Sequence, residues 1–335
     1  MPLDLLVADL LLPHDAPAPL RAMRLPALEK WLARADHEKS PSRGVTQALG
    51  SLFGVPSPAP VAAVSLAGER RGAVTGQWLR ADPVHLRIDH DYLKLHDASV
   101  LDVTREEAAA LVATLQSHFA QDGLAFEALH PDRWYVRVPE GEVPKTTPLA
   151  EAFGRDVFGL LPEGSGRIRW KSAITEAQMV LGSHAVNVQR EAAGKLAINS
   201  VWFWGEGAAP PRVEKRYALV YADDAFARGL GALSGADVRP LAVKLSDIDL
   251  VRDGDAALAV IDTLTPALHR GDAAAWQGLA ETMDARWFHE LGEAIGRFGE
   301  VRLILPTERE TRVASLTRSS HWRWFRARKP LAAHA

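Results

Sequence analysis

The arrangement of apolar and polar positions predicts strands that alternate with helices over much of the chain. Short apolar runs at Leu5–Leu12, Ala257–Ile261 and Val301–Leu305 predict strands buried on both faces. Apolar residues at helical spacing predict helices at Leu25–Ala35 and Asp272–Phe298. Weaker patterns predict strands at Val61–Leu66, Ala197–Trp204, Ala218–Tyr221 and Val238–Leu241, and helices at Val45–Phe53, Glu176–Gly194 and Ala225–Leu233. This order favours a mostly parallel sheet with helices on both faces.

The middle of the chain has a different pattern. Apolar and polar residues alternate there with period two, which is typical of half-buried strands. The strands are predicted at Val84–Asp89, Tyr92–His96, Phe126–Leu129 and Trp134–Val138. Between them, Thr104 and Glu107 form a capping-box pattern before a helix at Ala108–Phe119. We therefore predict an inserted α+β domain at residues 76–171, within an α/β core made of residues 1–75 and 172–335.

Composition and charge exclude several classes of function. The net charge of -3 argues against a protein coated by nucleic acid, although a local basic patch is compatible with it. Without cysteine the chain has no disulfide, thiolate zinc site or cysteine nucleophile. The apolar start contains Asp4 and Asp9, lacks a basic region and is too short to span a bilayer, so we expect a cytoplasmic protein.

One segment carries polar residues arranged for more than packing. His184, Asn187 and Arg190 recur at three-residue spacing, so on a helix they project from neighbouring positions. Such donors can clamp an anion, because arginine takes two phosphate or carboxylate oxygens at once. The alternative is structural, with the three side chains tying this helix to its neighbours through hydrogen bonds. The residues themselves do not decide between the two interpretations.

The same segment resembles part of a known enzyme family. The pattern His184-x-x-Asn187-x-x-Arg190, followed by Asn199-Ser-Val-Trp-Phe-Trp-Gly-Glu-Gly207, resembles the archaeal-type cofactor-independent phosphoglycerate mutases of the alkaline-phosphatase superfamily. Fainter likenesses follow in the family's order at residues 80–87, 134–137 and 226–235. The resemblance implies an alkaline-phosphatase-like core with an inserted domain. Within it, the RpfE-type regulatory, or mutase-like, proteins of proteobacteria are the most similar group.

The resemblance also implies a catalytic site that this chain does not reproduce. The family holds two divalent cations with carboxylates and histidines, which activate a serine. Its Asp-Gly pair is replaced here by Asp9-Leu, and its Ser-Asp nucleophile loop by Ser42-Arg43. Thr307-Glu308 follows the strand that should end in Asp-His, and Asp262 is all that remains of an Asp-Glu-x-x-His segment. We therefore expect a pseudoenzyme in which no catalytic residue is identified and which has no metal ligands and no cofactor, the alternative being two ions such as Mn or Zn.

Two further groups of cations complete the candidate sites. Arg167, Arg169 and Lys171 would share a face if their segment were extended. With His184, Asn187, Arg190 and Asn199 they form the predicted anion-binding set. Near the C-terminus, cations mix with aromatic rings, as on surfaces that bind single-stranded nucleic acid or a protein partner. The candidate contacts there are Arg323, Trp324, Arg326 and Arg328, although a packed tail with salt-bridged arginines explains the same pattern.

Three hypotheses for the function follow. The first is a degenerate, regulatory relative of the mutases that binds a small phosphorylated or carboxylated molecule or a protein partner, with no membrane association. The second is an active metal-dependent mutase or phosphotransferase with rearranged ligands. The third is a nucleic-acid-associated protein that uses the C-terminal basic aromatic segment. We expect the first, since the missing ligands argue against a working enzyme.

Overall fold

The chain folds into two compact units. The computed structural model describes residues 2–12, 20, 22–89, 92–96, 98–152, 155–164, 168–249 and 255–334. The core unit consists of residues 1–57 and 212–335, and the inserted unit of residues 58–211.

Both units contain strands and α-helices. The strands are β1 (Pro2–Val7), β2 (Asp36–Ser40), β3 (Gln77–Asp89), β4 (Tyr92–His96), β5 (Ala125–His130), β6 (Arg133–Val138), β7 (Ser200–Gly207), β8 (Leu219–Ala222), β9 (Asp237–Arg239), β10 (Ala257–Ile261), β11 (Glu300–Pro306) and β12 (Thr311–Thr317). The α-helices are α1 (Pro26–Arg34), α2 (Gly44–Leu52), α3 (Val61–Arg70), α4 (Ala98–Leu101), α5 (Arg105–Phe119), α6 (Leu149–Ala152), α7 (Trp170–Gly182), α8 (Ala185–Ala192), α9 (Ala225–Ser234), α10 (Thr265–His269), α11 (Ala273–Met283) and α12 (Leu291–Phe298).

The core unit is built on a mostly parallel sheet. Its described strands run in the order β2-β12-β11-β1-β10-β8-β9, and those from β11 to β9 are parallel. The central strand β1 pairs with both neighbours, so that Leu5 lies between Ala259 and Leu303. These strands are apolar throughout because both of their faces are covered. The predicted fold class, a parallel sheet flanked by helices, is therefore confirmed.

Helices cover the two faces of this sheet. Trp31 of α1, Trp276 of α11 and Ile295 of α12 are buried in one cluster with alternate residues of the central strands. On the other face α9 approaches closely, since a Cβ added at Gly231 would lie 2.9 Å from a methyl group of Val238. Glycine at this position is what allows helix and sheet to meet.

Some predicted elements differ from the structure. Val61–Leu66 is a helix, not a strand, because a short apolar run does not distinguish the two and its alanines favour a helix. The edge strand β2 was not predicted, since its residues are polar and largely exposed. The predicted helix Asp272–Phe298 is interrupted by a π-helical turn at Asp284–Phe288, where Asp284 accepts hydrogen bonds from the Ala27 and Leu28 amides.

The inserted unit contains an antiparallel sheet. Its described strands run β4-β3-β6-β5, and β7 pairs with β3 from the other side. Helix α5 begins with the predicted capping box, in which the Glu107 amide donates to Thr104 Oγ1 and the Thr104 amide donates to the Glu107 carboxylate. Helices α5 and α7 pack against one face of the sheet around Trp134 and Phe203. The predicted antiparallel module is therefore present.

The boundaries of this unit differ from the predicted 76–171. Strand β7 belongs to it because it pairs with β3, with Ser200 opposite Val84 and Trp202 opposite Asp82. Helices α3 and α7 both contact β7 and therefore belong to the same unit. The compact unit therefore extends from residue 58 to residue 211.

Candidate functional site

In the core unit, aspartate residues follow the carboxyl ends of three adjacent parallel strands. Asp9 follows β1, Asp262 follows β10, and Asp223 and Asp224 follow β8. The strands are hydrogen-bonded neighbours in the order β1-β10-β8, so their ends meet at one edge of the sheet. Open α/β sheets bind their ligands at this edge. We call these four residues the aspartate edge.

The aspartate edge carries concentrated negative charge. Burial raises the pKa of Asp262, and the nearby carboxylates raise it further, to about 6. The contributing neighbours are, in order of size, Asp224, Asp223 and Asp9. Asp262 accepts a hydrogen bond from its own backbone amide, which favours the ionised form without offsetting the other effects. Burial and neighbouring negative charge therefore together disfavour the ionised form of Asp262.

Local hydrogen bonds fix three of these carboxylates. The Thr265 hydroxyl donates to Asp9 at 2.5 Å, and the Leu241 amide donates to Asp223 at 3.2 Å. Asp224 caps α9 by accepting from the Ala227 amide at 2.7 Å. Asp9 has a φ of 56°, a left-handed conformation that aspartate tolerates better than most residues. The edge is therefore a built feature of the fold.

A pair of hydroxyls lies at the same edge of the sheet, beyond β11. Ser40 ends β2 opposite Thr311 of β12, which itself pairs with Pro306 at the end of β11. Ser42 is buried, and its hydroxyl donates to Thr311 Oγ1 at 3.2 Å. The side chain of Arg43, the next residue, is exposed. Ser42 thus precedes helix α2 at the position where the sequence resemblance places a nucleophile.

The predicted anion trio lies together in the inserted unit, but its polar atoms are engaged. Asn187 is buried, and its amide nitrogen donates to the Leu181 and Ile198 carbonyls at 2.8 and 2.9 Å. Its oxygen accepts from the Ile198 amide at 2.7 Å. His184 does not lie inside a helix; its Nδ1 accepts from the Val186 amide and caps α8. These bonds stabilise the turn between α7 and α8 and hold the segment before β7 against it.

Arg190 is also buried, and all three nitrogens of its guanidinium group are engaged. Its Nε donates to the Leu196 carbonyl at 2.8 Å, and its Nη1 donates to the Glu107 carboxylate at 2.7 Å. Its Nη2 donates to the Leu101 carbonyl. An incoming anion would have to displace these acceptors, so the geometry favours the structural interpretation. Anion binding by the trio stays a prediction.

The other members of the predicted anion-binding set are dispersed. Asn199 exchanges two hydrogen bonds with the backbone of Leu86, at 2.8 and 2.9 Å, and so ties β7 to β3. Arg169 is the residue before α7, and Lys171 lies within its first turn. They therefore do not share the face of an extended segment, and that part of the prediction is wrong. Arg167 lies outside the described residues.

The C-terminal basic aromatic residues divide into two groups. Arg323 donates to the Arg34 carbonyl and to Asp36, and Arg326 donates to the Ala35 carbonyl. Trp324 is 72% exposed, and Arg328 is exposed as well. The arginines are thus partly salt-bridged, as the structural alternative predicted, while the aromatic residues are not packed.

The chain is similar in sequence to several proteins that share one name. It is 29% identical over 201 residues to the 2,3-bisphosphoglycerate-independent phosphoglycerate mutase of Methanosarcina barkeri, a match covering 56% of this chain. It is 25% identical over 325 residues to a Geobacter sulfurreducens protein named "Probable 2,3-bisphosphoglycerate-independent phosphoglycerate mutase", covering 88% of this chain. This chain is related to the cofactor-independent phosphoglycerate mutases. No family model matches it.

The match covers only part of each relative's length. The chain spans about half the length of the Methanosarcina mutase, 50%, and 80% of the Geobacter protein. The solved structure of the PH0037 protein from Pyrococcus horikoshii is similar in fold, with a TM-score of 0.57 and 14% sequence identity. The match covers 94% of this chain and 87% of the Pyrococcus chain. That likeness concerns the fold alone. Nothing in these matches bears on the RpfE-type group, which stays a prediction.

The relationship corrects one prediction. We predicted that the chain has no cofactor, but the relatives are mutases of the class for which the sequence resemblance implies divalent metal ions. That prediction is contradicted, and the alternative of divalent ions is closer. In the part of the chain that the structure describes, no group of three or more His, Asp or Glu side chains is arranged to hold a metal ion. A complete two-metal centre of the mutase kind therefore does not fit these residues.

The aspartate edge offers a simpler set of donors. Its four side chains offer only oxygen ligands, which suit Mg²⁺ or Mn²⁺ rather than the sulfur and nitrogen sites typical of zinc. Mg²⁺ keeps several water ligands and is bound by one or two carboxylates together with the phosphate of a substrate. Such an ion does not need three protein ligands.

Sequence reasoning missed Asp223 and Asp224 altogether. It also judged Asp9 and Asp262 one at a time, as remnants of mutase motifs. The signal that could have united them is that each follows a predicted buried strand, and parallel strands bring their carboxyl ends to one edge.

Proposed function

We propose that the core unit binds a small phosphorylated carboxylic acid of the phosphoglycerate class, together with Mg²⁺ or Mn²⁺, and acts as a binding or regulatory protein. The observation that supports this most is the placement of Asp9, Asp262 and Asp223 at the ends of three adjacent parallel strands. Relatives named as phosphoglycerate mutases supply the class of ligand. A cytoplasmic location and a protein partner stay predictions.

The charge of the site explains why cation and ligand bind together. A phosphate or carboxylate approaching the aspartate edge alone meets like charge, which disfavours binding. A divalent cation between the two attracts both, and it stabilises the ionised form of Asp262, whose pKa is otherwise raised to about 6. The ligand should therefore bind much more weakly without the metal, and the metal more weakly without the ligand.

Turnover is not part of the proposal, because the surroundings of Ser42 lack what would activate it. Its hydroxyl donates to Thr311 Oγ1, and Thr311 in turn donates to the Ser42 carbonyl. No carboxylate follows Ser42, since the next residue is Arg43. A serine hydroxyl is a weak nucleophile without an adjacent base or a coordinated metal.

Thermal unfolding with paired ligands tests the proposal. We expect Mn²⁺ and 3-phosphoglycerate together to raise the melting temperature by more than the sum of their separate effects. Asp9→Asn and Asp262→Asn should remove this joint effect, and Glu293→Gln, an exposed carboxylate of α12, should keep it. If no combination of metal and 3-phosphoglycerate stabilises the wild type, the proposed function is wrong.

Turnover is measured separately, with protein in large excess over that needed for a working mutase. We expect Mn²⁺-loaded wild type to leave 3-phosphoglycerate unchanged in an assay coupled to removal of 2-phosphoglycerate. Conversion that is lost in Ser42→Ala would establish an active mutase and overturn the binding-only part of the proposal.

A further inference from the structure

Three aromatic side chains near the C-terminus project from the core unit. Trp322 is 79% exposed, and Trp324 and Phe325 are each 72% exposed. These are among the most exposed large apolar side chains in the described part of the chain, and they lie within four consecutive residues. We call them the aromatic tip. Exposed aromatic residues grouped in this way are typical of surfaces that bind something else.

The backbone beneath the aromatic tip is held in place on both sides. Before it, Ser320 is fully buried and caps the turn at Thr317. After it, Leu331 is 6% exposed and joins the hydrophobic core. Between these points Arg323 and Arg326 donate to carbonyls at the end of α1. The rings are therefore presented by an anchored loop and are not a frayed terminus.

The protein surface around the aromatic tip is positively charged. Arg328 and Lys329 follow Phe325 after two further residues, and both are exposed. Burial lowers the pKa of Lys30, and the positive charges of Arg34 and Arg328 lower it further, which places these three cations near one another. The nearby Asp36 is already paired with Arg323 at 2.6 Å. The partner of this surface should therefore be anionic as well as able to receive apolar rings.

The arrangement of rings and cations favours a lipid surface over a nucleic acid. Stacking of successive bases needs ring faces that are open and aligned, with free cations between them. The rings of Trp324 and Phe325 meet at 79°, edge to face, and the arginines between and beside them donate to the protein's own backbone. At a membrane, tryptophan and phenylalanine enter the headgroup region while lysine and arginine stay at the level of the phosphates.

We propose that the aromatic tip, with Arg328 and Lys329, docks the protein on the surface of anionic lipid bilayers. The contact is peripheral, and no described helix is long and apolar enough to span a membrane. It is independent of the ligand site proposed for the aspartate edge. It also departs from the sequence-based expectation that the protein has no membrane association.

Flotation of the full chain with lipid vesicles tests the proposal. We expect wild type to float with vesicles of phosphatidylcholine and phosphatidylglycerol, with a blue shift of tryptophan emission, and to stay behind with phosphatidylcholine alone. Arg328→Gln and Lys329→Gln should each weaken binding about fivefold at low salt. Replacing Trp322, Trp324 and Phe325 together by serine should abolish both flotation and the blue shift.

The control is a protein with serine at two equally exposed apolar positions elsewhere, Phe158 and Met179, which should float as wild type does. Unchanged melting temperatures would show that both variants fold. The proposal is overturned if wild type does not float, or floats equally with neutral vesicles. It is also overturned if the aromatic tip instead supports binding of a single-stranded oligonucleotide or self-association in sedimentation, without flotation.

Discussion

Replacing Asp262 by asparagine should stabilise the core unit at neutral pH. The carboxyl group has a pKa of about 6 in the folded protein and an ordinary value of 3.8, so the folded state disfavours its charge. The causes are burial first and then the charges of Asp224, Asp223 and Asp9. Asparagine has nearly the same shape, keeps an acceptor oxygen and carries no charge.

The magnitude and its pH dependence follow from linkage. A change of pKa from 3.8 to about 6 corresponds to at most about 3 kcal/mol in the free energy of unfolding. Between these pH values the folded state binds more protons than the unfolded state, so this contribution to stability falls as pH rises and is fully lost above pH 6. Asp262→Asn should therefore be more stable than wild type at pH 7.5, by up to about 3 kcal/mol, with a smaller gain at pH 5.

Urea unfolding followed by circular dichroism, in the presence of a chelator, measures both values. Glu293→Gln serves as the control, because it removes an exposed carboxylate of α12 that is not part of the aspartate edge. The reasoning is refuted if Asp262→Asn is destabilised equally at pH 5 and pH 7.5. That result would mean that Asp262 is held by favourable contacts and not strained by neighbouring charge.

Three further predictions concern the inserted unit. Arg190→Met should destabilise this unit by about 3 to 5 kcal/mol, because the buried partners of the guanidinium lose their donor, and inorganic phosphate should not stabilise wild type through this residue. Urea unfolding measures the loss, with Arg105→Met as the exposed control. A loss under 1 kcal/mol, together with stabilisation by phosphate in wild type alone, would support the anion clamp instead. Thr104→Ala should cost about 1 kcal/mol through the lost cap of α5, and a change in the same assay indistinguishable from zero would contradict it. Tyr135→Phe should change stability by less than about 0.5 kcal/mol, because its buried hydroxyl has no hydrogen-bond partner among the described residues, and a larger loss would reveal a bound water.

The sequence pattern predicted those parts of the fold that depend on local signals. The central strands are apolar because both faces are covered, and the capping box at Thr104 is complete within four residues. Val61–Leu66 was misassigned because a short run of alanine and valine has no period that separates strand from helix. The edge strand β2 carries polar residues and gave no strand signal at all.

The candidate site was harder to predict because it depends on strand order. Asp9 and Asp262 are more than two hundred residues apart, and nothing local shows that β1 and β10 are neighbours. The trio of His184, Asn187 and Arg190 shows the opposite case. Its spacing was visible in the sequence, but only the structure shows that the backbone carbonyls and Glu107 already occupy its donors.

The most direct test of the account is a titration of Mn²⁺ into the protein in the presence of 3-phosphoglycerate, with free Mn²⁺ followed by electron paramagnetic resonance. We predict that wild type removes Mn²⁺ from the free signal and that a variant carrying both Asp9→Asn and Asp262→Asn does not. Glu293→Gln should behave as wild type. Equal depletion by wild type and by the double variant, or no depletion by wild type, would contradict the claim that the aspartate edge is a ligand site.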